Sequence, residues 1–370
     1  MSYYNDHDKY GDFINSYTPR EPNYSRPPKR NKRRLKRWVK TAMAVLLIAA
    51  IGVGMFLIIK GCSGENTTPE VNNGTSDVNV TGSAAADSAT PVDTTPRYTV
   101  KRPVSAEYTV TLGQEIESPH AVLIDTSNDT ILARRSADEK IYPASMTKVM
   151  TLLVAAENID NLDDTFEMSY AIIDPLYKEG LTLAGFGHGE KVKLIDMFYG
   201  MILESGADAA VGLATYVSGS EEKFVELMNQ KCAELKLNNT HFTNASGMHN
   251  KENYTTCVEM AMIMKAAMDN EFCRKILSTE WYTVPANDFH NELKYHSGMF
   301  EKMYGTEPEV ATIKGGKTGF TSQSLFCLAS FGVTDDGREI ICVTAEGDRK
   351  YSPIYDAIDL YKNYTHPATD

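Results

Sequence analysis

Short runs of alternating hydrophobic and polar residues lie near both ends of residues 98–370. Residues 120–126 and 130–135 are joined by a Ser-Asn-Asp turn, and residues 326–333 and 339–345 by an Asp-Asp-Gly turn. Each pair of runs predicts a β-hairpin. Because an isolated hairpin is only marginally stable, we expect the two hairpins to pair in one antiparallel sheet.

The sequence between the hairpins has a mainly helical pattern. Apolar residues recur with helical spacing over residues 194–202, and Thr256 with Glu259 forms a capping-box pattern that opens another helix. Ser352-Pro353 marks the start of a last helix after the second hairpin. These patterns predict an α+β fold, in which an antiparallel sheet flanked by helices carries a mainly helical inserted lobe, with a cleft between the two parts.

The longest apolar run precedes this part of the chain. Residues 41–59 contain no charge and would span about 28 Å as a helix, close to the thickness of a bilayer's hydrocarbon core. Residues 29–40 include eight Lys or Arg and no acid, and such charge favours the cytoplasmic side. The sequence therefore predicts one transmembrane helix over residues 41–60, with its N terminus in the cytoplasm. The alternatives are a cleaved signal peptide, a lipoprotein anchor on Cys62 and a buried core helix.

Charge and composition divide the chain in the same way. The 370 residues carry a formal charge of −12, but residues 1–40 alone carry +7. The acidic remainder argues against nucleic acid as a partner. We interpret residues 1–40 as a disordered basic cytoplasmic tail, residues 61–97 as a flexible extracytoplasmic tether poor in apolar side chains, and residues 98–370 as the folded domain.

A serine and a lysine spaced three residues apart are the first candidates for chemistry. Ser145 and Lys148 precede a helical run, so they share one face of a helix and can form a hydrogen bond. A lysine whose pKa is lowered by burial or by nearby positive charge can take the serine proton and activate the hydroxyl as a nucleophile. Alone, this motif is weak, because it is expected about once by chance in a chain of this length. The alternative is a helix N-terminal serine with a surface lysine.

Two further motifs strengthen this interpretation. A Lys-Thr-Gly sequence at 317–319 follows two glycines and has the pattern of an edge strand beside a cleft. Small residues there would admit a substrate backbone, and the lysine and threonine would bind a carboxylate; a Gly-rich turn with a solvated lysine is the alternative. The third motif, residues 203–210, places Ser205 between two helical stretches, 60 residues after Ser145 and 112 residues before Lys317.

In this order the three motifs resemble those of the serine D-alanyl-D-alanine carboxypeptidases, the low-molecular-mass penicillin-binding proteins, which carry S-x-x-K, S-x-N and K-T-G. Residues 223–229, 239–247 and 255–262 also look like connecting segments of that family. The resemblance implies a β-lactamase/transpeptidase-like fold, no metal or other cofactor, and a place at the bacterial cell membrane. It implies removal of the terminal D-Ala from peptidoglycan stem pentapeptides through an acyl-enzyme, with β-lactams as covalent inhibitors.

The resemblance also assigns a role to each motif residue. Ser145 would be the acylated nucleophile, Lys148 its base, and Ser205 a relay of the proton toward the leaving amine. The backbone N–H groups of Ser145 and Phe320 would form the oxyanion hole that stabilises the tetrahedral intermediate. The residues that would bind the terminal carboxylate side of the substrate are Lys317, Thr318 and Gly319.

One position departs from the family pattern. Ala207 stands where S-x-N has asparagine, whose amide orients the substrate and contacts the active-site lysine in the family. Leaving a buried partner unpaired costs about 1–3 kcal/mol. Asp208 is adjacent, but its side chain is expected to point elsewhere. Two hypotheses follow: another donor or a water compensates and the enzyme is active, which we favour, or the site acylates but turns over poorly, as in a penicillin-binding or peptide-sensing protein.

Three other classes fit the sequence less well. A class A-like β-lactamase needs a deacylating glutamate, and no convincing Glu-x-x-Leu-Asn stretch lies between Ser205 and Lys317. A zinc peptidase needs grouped ligands, and the eight histidines show no motif spacing. A wall-binding module without catalysis has no need of three catalytic motifs in order. The cysteines of residues 98–370 are expected to be mostly buried thiols, because a core of this size needs no disulfides.

Overall fold

A computed structural model describes residues 100–303 and 311–365. These residues all belong to one compact unit of the chain, residues 89–370. The predicted cytoplasmic tail at 1–40, the transmembrane helix at 41–60 and the tether at 61–97 lie outside the described residues. Within the described part, none of the helices has the length and apolar character needed to cross a bilayer.

The described residues contain ten strands and nine α-helices. The strands are β1 (Val104–Thr111), β2 (His120–Asp125), β3 (Thr130–Arg135), β4 (Thr165–Glu167), β5 (Lys191–Lys193), β6 (Trp281–Val284), β7 (Leu293–His296), β8 (Ala311–Thr321), β9 (Leu325–Thr334) and β10 (Glu339–Gly347). The helices are α1 (Thr147–Asn158), α2 (Tyr170–Lys178), α3 (Leu194–Ile202), α4 (Ala207–Ser218), α5 (Glu221–Glu234), α6 (Cys257–Asp269), α7 (Glu271–Leu277), α8 (Phe300–Met303) and α9 (Ser352–Tyr364).

Six strands form the central sheet in the order β1-β3-β2-β10-β9-β8. Both predicted hairpins are confirmed as β2–β3 and β9–β10, and they join through antiparallel pairing of β2 with β10, from Asp125 opposite Ile340 to His120 opposite Ala345. Strand β8 pairs with β9 and forms one edge of the described sheet, as the Lys-Thr-Gly pattern predicts. Strand β1, which the sequence pattern did not reveal, lies parallel to β3 at the other edge.

The sheet is covered on both faces, and strand β2 shows why. All six of its residues are buried. Because successive side chains of a strand point to opposite faces, Val122 and Ile124 enter the core shared with α1, α3, α4 and α6. Ala121 and Leu123 enter a second core, which is shared with α9. The region between the hairpins is mainly helical, as the sequence predicts. It also contains two small sheets, β4–β5 and β6–β7, which the sequence pattern did not reveal.

The predicted start of α6 is confirmed, but only half of its capping box forms. The Thr256 hydroxyl accepts a hydrogen bond from the Glu259 N–H at 3.1 Å. The Glu259 carboxylate does not return to the Thr256 N–H and accepts instead from Asn239, whose N–H lies 3.0 Å away, and from the Thr240 hydroxyl at 2.6 Å. The exposed Arg102 adds an ion pair of 3.1 Å to the buried Glu259 carboxylate. The glutamate therefore ties the start of α6 to residues 239 and 240.

The five cysteines of the described residues are buried and free, which confirms the expectation of buried thiols. Burial raises the pKa of each of them. They are Cys232, Cys257, Cys273, Cys327 and Cys342.

Candidate active site

Ser145 lies in a short 3-10 turn, residues 144–146, that leads directly into α1. The helix therefore begins beside the hydroxyl, and its N-terminal N–H groups favour negative charge there. Gly247 packs on this turn from a loop of the helical lobe: a Cβ at position 247 would lie 1.9 Å from the Ala144 carbonyl oxygen and 2.9 Å from the Ser145 nitrogen. Both Ala144 and Gly247 have positive φ angles, +45° and +82°. The backbone around Ser145 is thus held in place by close contact with the loop that carries Gly247.

Lys148 occupies the first turn of α1 with its side chain buried. Its Nζ donates to Ser145 Oγ at 3.1 Å and to the Ser246 carbonyl oxygen at 2.5 Å. Burial lowers the pKa of Lys148 to about 7, against the opposing pull of the Asp208 and Glu221 carboxylates. A large fraction of this amine is therefore neutral near pH 7, which is what a base must be to accept the serine proton.

The Lys-Thr-Gly segment lies in β8 and borders the Ser145 turn. A Cβ at Gly319 would lie 2.8 Å from the Pro143 carbonyl oxygen and 3.2 Å from the Ala144 Cβ, so the strand approaches this turn closely because residue 319 is glycine. Lys317 is buried, and its Nζ donates to the Thr318 carbonyl oxygen at 3.1 Å. Burial, together with the neighbouring charges of Lys148 and a residue of α8, Lys302, holds its pKa well below the usual value.

Ser205 lies in the turn between α3 and α4, with a φ of +67°. Ala207, the first residue of α4, is buried, and its N–H donates to the Thr182 carbonyl oxygen at 2.8 Å. The Asp208 carboxylate accepts hydrogen bonds from backbone N–H groups, among them that of Ala184 at 2.7 Å and that of Ala209 at 2.9 Å. Asp208 thus anchors residues 184–185, and backbone N–H groups already occupy its carboxylate.

A cleft of about 280 Å³ unites residues from all three motifs. Lys148 and Lys317 are buried beside the cleft. They lie close enough together for the charge of Lys148 to lower the pKa of Lys317. In the described ranges 100–303 and 311–365, His, Cys, Asp and Glu side chains do not come together in threes in a way that could hold a metal ion. The predicted site residues that line the cleft are Ser145, Ser205, Thr318, Gly319 and Phe320.

Several groups at the site were not identified from the sequence. The Ser246 carbonyl accepts from Lys148, but a backbone oxygen carries no residue-type signal. Thr182 and Lys302 line the cleft from segments without any motif. Glu221 acts on Lys148 electrostatically, although in the sequence it is an ordinary acidic residue at a helix N terminus. The resemblance of residues 239–247 to a family segment was the one signal that pointed to this region.

Comparison with known proteins agrees with this geometry. The sequence profile described as D-alanyl-D-alanine carboxypeptidase, Peptidase_S11, matches residues 105–348. D-alanyl-D-alanine carboxypeptidase DacF of Bacillus subtilis is 30% identical over 227 residues, which are 61% of this chain and 57% of DacF. DacC of Escherichia coli, of the same description, is 33% identical over 165 residues, 41% of each chain.

The chain thus spans about half the length of these curated relatives. Among solved structures, the Streptomyces K15 DD-transpeptidase superimposes with a TM-score of 0.60 at 26% identity, over 66% of this chain and 97% of that protein. The described part of the chain has the mixed α+β fold of that protein. The resemblance predicted from the three motifs is therefore confirmed, and the chain belongs to the D-alanyl-D-alanine carboxypeptidase family, Peptidase_S11, a family of serine hydrolases.

Proposed function

We propose that this protein is a serine D,D-carboxypeptidase that removes the terminal D-Ala from peptidoglycan stem pentapeptides through an acyl-enzyme on Ser145. The observation that carries the proposal is the contact of 3.1 Å between Ser145 Oγ and Lys148 Nζ, whose pKa is lowered to about 7, at the cleft bordered by the Lys-Thr-Gly strand. Family membership supports the same chemistry.

Acylation begins with proton transfer from Ser145 Oγ to the neutral Lys148 Nζ as Oγ attacks the carbonyl carbon of the penultimate D-Ala. The backbone N–H groups of Ser145 and Phe320 stabilise the resulting oxyanion. The proton then passes by way of Ser205 to the amine of the terminal D-Ala, the C–N bond breaks, and an ester on Ser145 remains. Water, activated by the same lysine, hydrolyses the ester and restores the serine.

Binding of the substrate carboxylate falls to Lys317 and Thr318 in this proposal. Burial and the charges of Lys148 and Lys302 disfavour the ammonium form of Lys317. A bound carboxylate favours that form, since an opposite charge at close range raises the pKa of a lysine. The terminal carboxylate of the peptide is therefore the group that charges Lys317 and is held by it.

The proposal includes attachment to the bacterial cell membrane through residues 41–60, with the N terminus in the cytoplasm and the catalytic domain outside. It rests on the apolar run and the basic flank of the sequence. Fractionation of cells that express the full chain tests it: the protein sediments with membranes and resists extraction by high salt. Recovery in the soluble fraction, or a mature N terminus near residue 60, would contradict the anchor.

A second function, slow turnover after acylation, is favoured by the surroundings of Ala207. This residue offers no hydrogen-bonding side chain, and backbone N–H groups occupy the carboxylate of Asp208. Such a protein would bind penicillin or sense peptides rather than process them. Replacement Ala207→Asn separates the two functions: a compensated enzyme gains less than about tenfold in turnover, whereas a stalled one gains about 10- to 100-fold.

The direct test is release of D-Ala from an N-acylated Lys-D-Ala-D-Ala peptide by the full chain and by Ser145→Ala. Release that disappears in the variant supports the carboxypeptidase. No release, with Ser145 still labelled by a fluorescent penicillin, would leave the second function in its place. Neither release nor labelling would overturn both.

A further inference from the structure

The structure assigns a role to Glu221: it is a positioning residue that holds the loop of residues 244–248 against Lys148 and places a half-buried negative charge behind that loop. The inference rests on the proposed function, because Lys148 is its base. Nothing in the family motifs includes Glu221, which lies 73 residues after Lys148 in the sequence.

Glu221 is turned inward, unlike its neighbour. It is the first residue of α5, whose N-cap hydroxyl, on Ser220, accepts from the Lys223 N–H. Glu222 is exposed, as is usual for an acidic residue in a first helical turn, but Glu221 is half-buried, and its Oε1 accepts from the Ala245 N–H at 2.8 Å. A carboxylate that leaves solvent to bind one backbone N–H fixes that backbone segment.

The segment that Glu221 fixes is the one that contacts α1. The Ala245 carbonyl oxygen accepts from the Thr151 hydroxyl at 2.7 Å, and the Ser246 carbonyl oxygen accepts from Lys148 Nζ at 2.5 Å. Lys148 and Thr151 are three residues apart on one face of α1. The loop is therefore held between the carboxylate of Glu221 on one side and two side chains of α1 on the other.

The charges that face Lys148 come from three elements. Asp208 of α4 and Glu221 of α5 favour its ammonium form, and Lys317 of β8 lies close enough for the charge of Lys148 to lower the pKa of Lys317. Asp208 is committed to backbone N–H groups at residues 184, 185 and 209. Glu221, by contrast, is linked to Lys148 through two adjacent residues: it accepts from the Ala245 N–H, and the Ser246 carbonyl accepts from Lys148.

Substitution by glutamine separates the two parts of this role. Glu221→Gln keeps an oxygen for the Ala245 N–H but removes the charge, so the loop stays in place while the ammonium form of Lys148 loses support. We expect the midpoint of the acylation rate against pH to shift downward by about 1 pH unit, with the plateau at high pH unchanged. Glu221→Ala removes the acceptor as well, so we expect the same shift together with a plateau that is about 10- to 100-fold lower.

The experiment measures the rate of labelling by a fluorescent penicillin between pH 5.5 and 9 in the full chain, in Glu221→Gln, in Glu221→Ala and in Glu222→Gln. The last variant is the matched control, because it removes an exposed charge one residue away. A control profile that superimposes on the parent profile, with a shifted Glu221→Gln profile, supports the inference. An unshifted Glu221→Gln profile, or an equal shift in the control, would overturn it.

A second measurement keeps this test separate from the proposed function. Competitive acetylation of lysines, followed at the Lys148 peptide by mass spectrometry over the same pH range, reports the titration of Lys148 whether or not Ser145 is acylated. If the parent chain is never labelled by penicillin, the proposed function fails, and the acetylation midpoint still decides the inference. A lower midpoint in Glu221→Gln supports it, and an unchanged one refutes it.

Discussion

Replacement of Gly247 by alanine tests whether the loop of residues 244–248 shapes the catalytic turn. Gly247 has a φ of +82°, and a Cβ there would lie 1.9 Å from the Ala144 carbonyl oxygen and 2.4 Å from the Ala144 carbonyl carbon. Both obstacles are backbone atoms of the turn that carries Ser145. No side-chain rotation relieves such a contact, so either the loop or the turn has to move.

The size of the effect follows from these distances. A Cβ contact with an oxygen needs about 3 Å, so the two backbones have to separate by about 1 Å. A residue other than glycine at positive φ adds about 1–2 kcal/mol, and overpacking adds about 1–3 kcal/mol. We therefore expect Gly247→Ala to lower the free energy of unfolding by about 2–5 kcal/mol. A displacement of about 1 Å at the reacting groups lowers the rate of acylation about 100-fold.

The control for Gly247→Ala is Gly337→Ala. Gly337 has a φ of +87° in the β9–β10 turn, at the end of β9 far from the cleft, and an added Cβ meets nothing within 4 Å. It therefore carries the strain of positive φ without the collision. Acylation is followed without denaturant with a fluorescent penicillin, and stability is followed by urea unfolding. Parent-like acylation in Gly247→Ala, or an equal loss of acylation in Gly337→Ala, would refute the reasoning.

Three further predictions concern protonation, a buried carboxylate and the thiols. The pKa of Lys148 is about 7 and its neutral form is the base, so the rate of acylation is expected to be half-maximal near pH 7 and to fall at lower pH. A pH–rate profile measures this, and a flat profile from pH 6 to 8 would contradict it. Glu259→Ala leaves Asn239, Thr240 and Arg102 without their shared acceptor. It is expected to lower the free energy of unfolding, measured by urea denaturation, by about 1–3 kcal/mol, against a smaller loss for Glu259→Gln. Added reductant is expected to leave the unfolding temperature unchanged, because the five cysteines of the described residues are free; a lower temperature would reveal a disulfide.

Elements with local signals were predictable from the sequence. The β2–β3 and β9–β10 hairpins each combine an alternating pattern with a turn sequence, and α6 has an N-cap threonine, so the signal for each lies within a few residues. Strand β1 lacks such a signal: most of its residues are exposed, among them Val104 and Tyr108, so its side chains do not alternate between core and solvent. Pairing with the backbone of β3 places it in the sheet, and that pairing depends on the rest of the fold.

The same distinction holds within the site. Ser145, Lys148 and Lys317 were identified because their chemistry needs particular side chains at particular spacings. The Ser246 carbonyl could not be found in that way, because any residue supplies a carbonyl oxygen. Its position depends on the glycine that follows it and on the carboxylate of Glu221 behind the loop. Contacts made by backbone atoms, and charges that act through them, become visible only when the chain is folded.

The distribution of protons between two lysines decides whether the proposed mechanism works. Lys148 has to be neutral to accept the serine proton, whereas Lys317 has to be charged to hold a carboxylate, yet burial lowers the pKa of both. Lys148 Nζ contacts Ser145 and Ser246, while Lys317 lies in the strand whose Thr318 lines the cleft. In the proposed mechanism the carboxylate binds directly to Lys317, so it raises the pKa of Lys317 more than that of Lys148, because Coulomb interaction weakens with distance. Binding of the carboxylate therefore protonates Lys317, and Lys148 remains neutral and able to accept the serine proton.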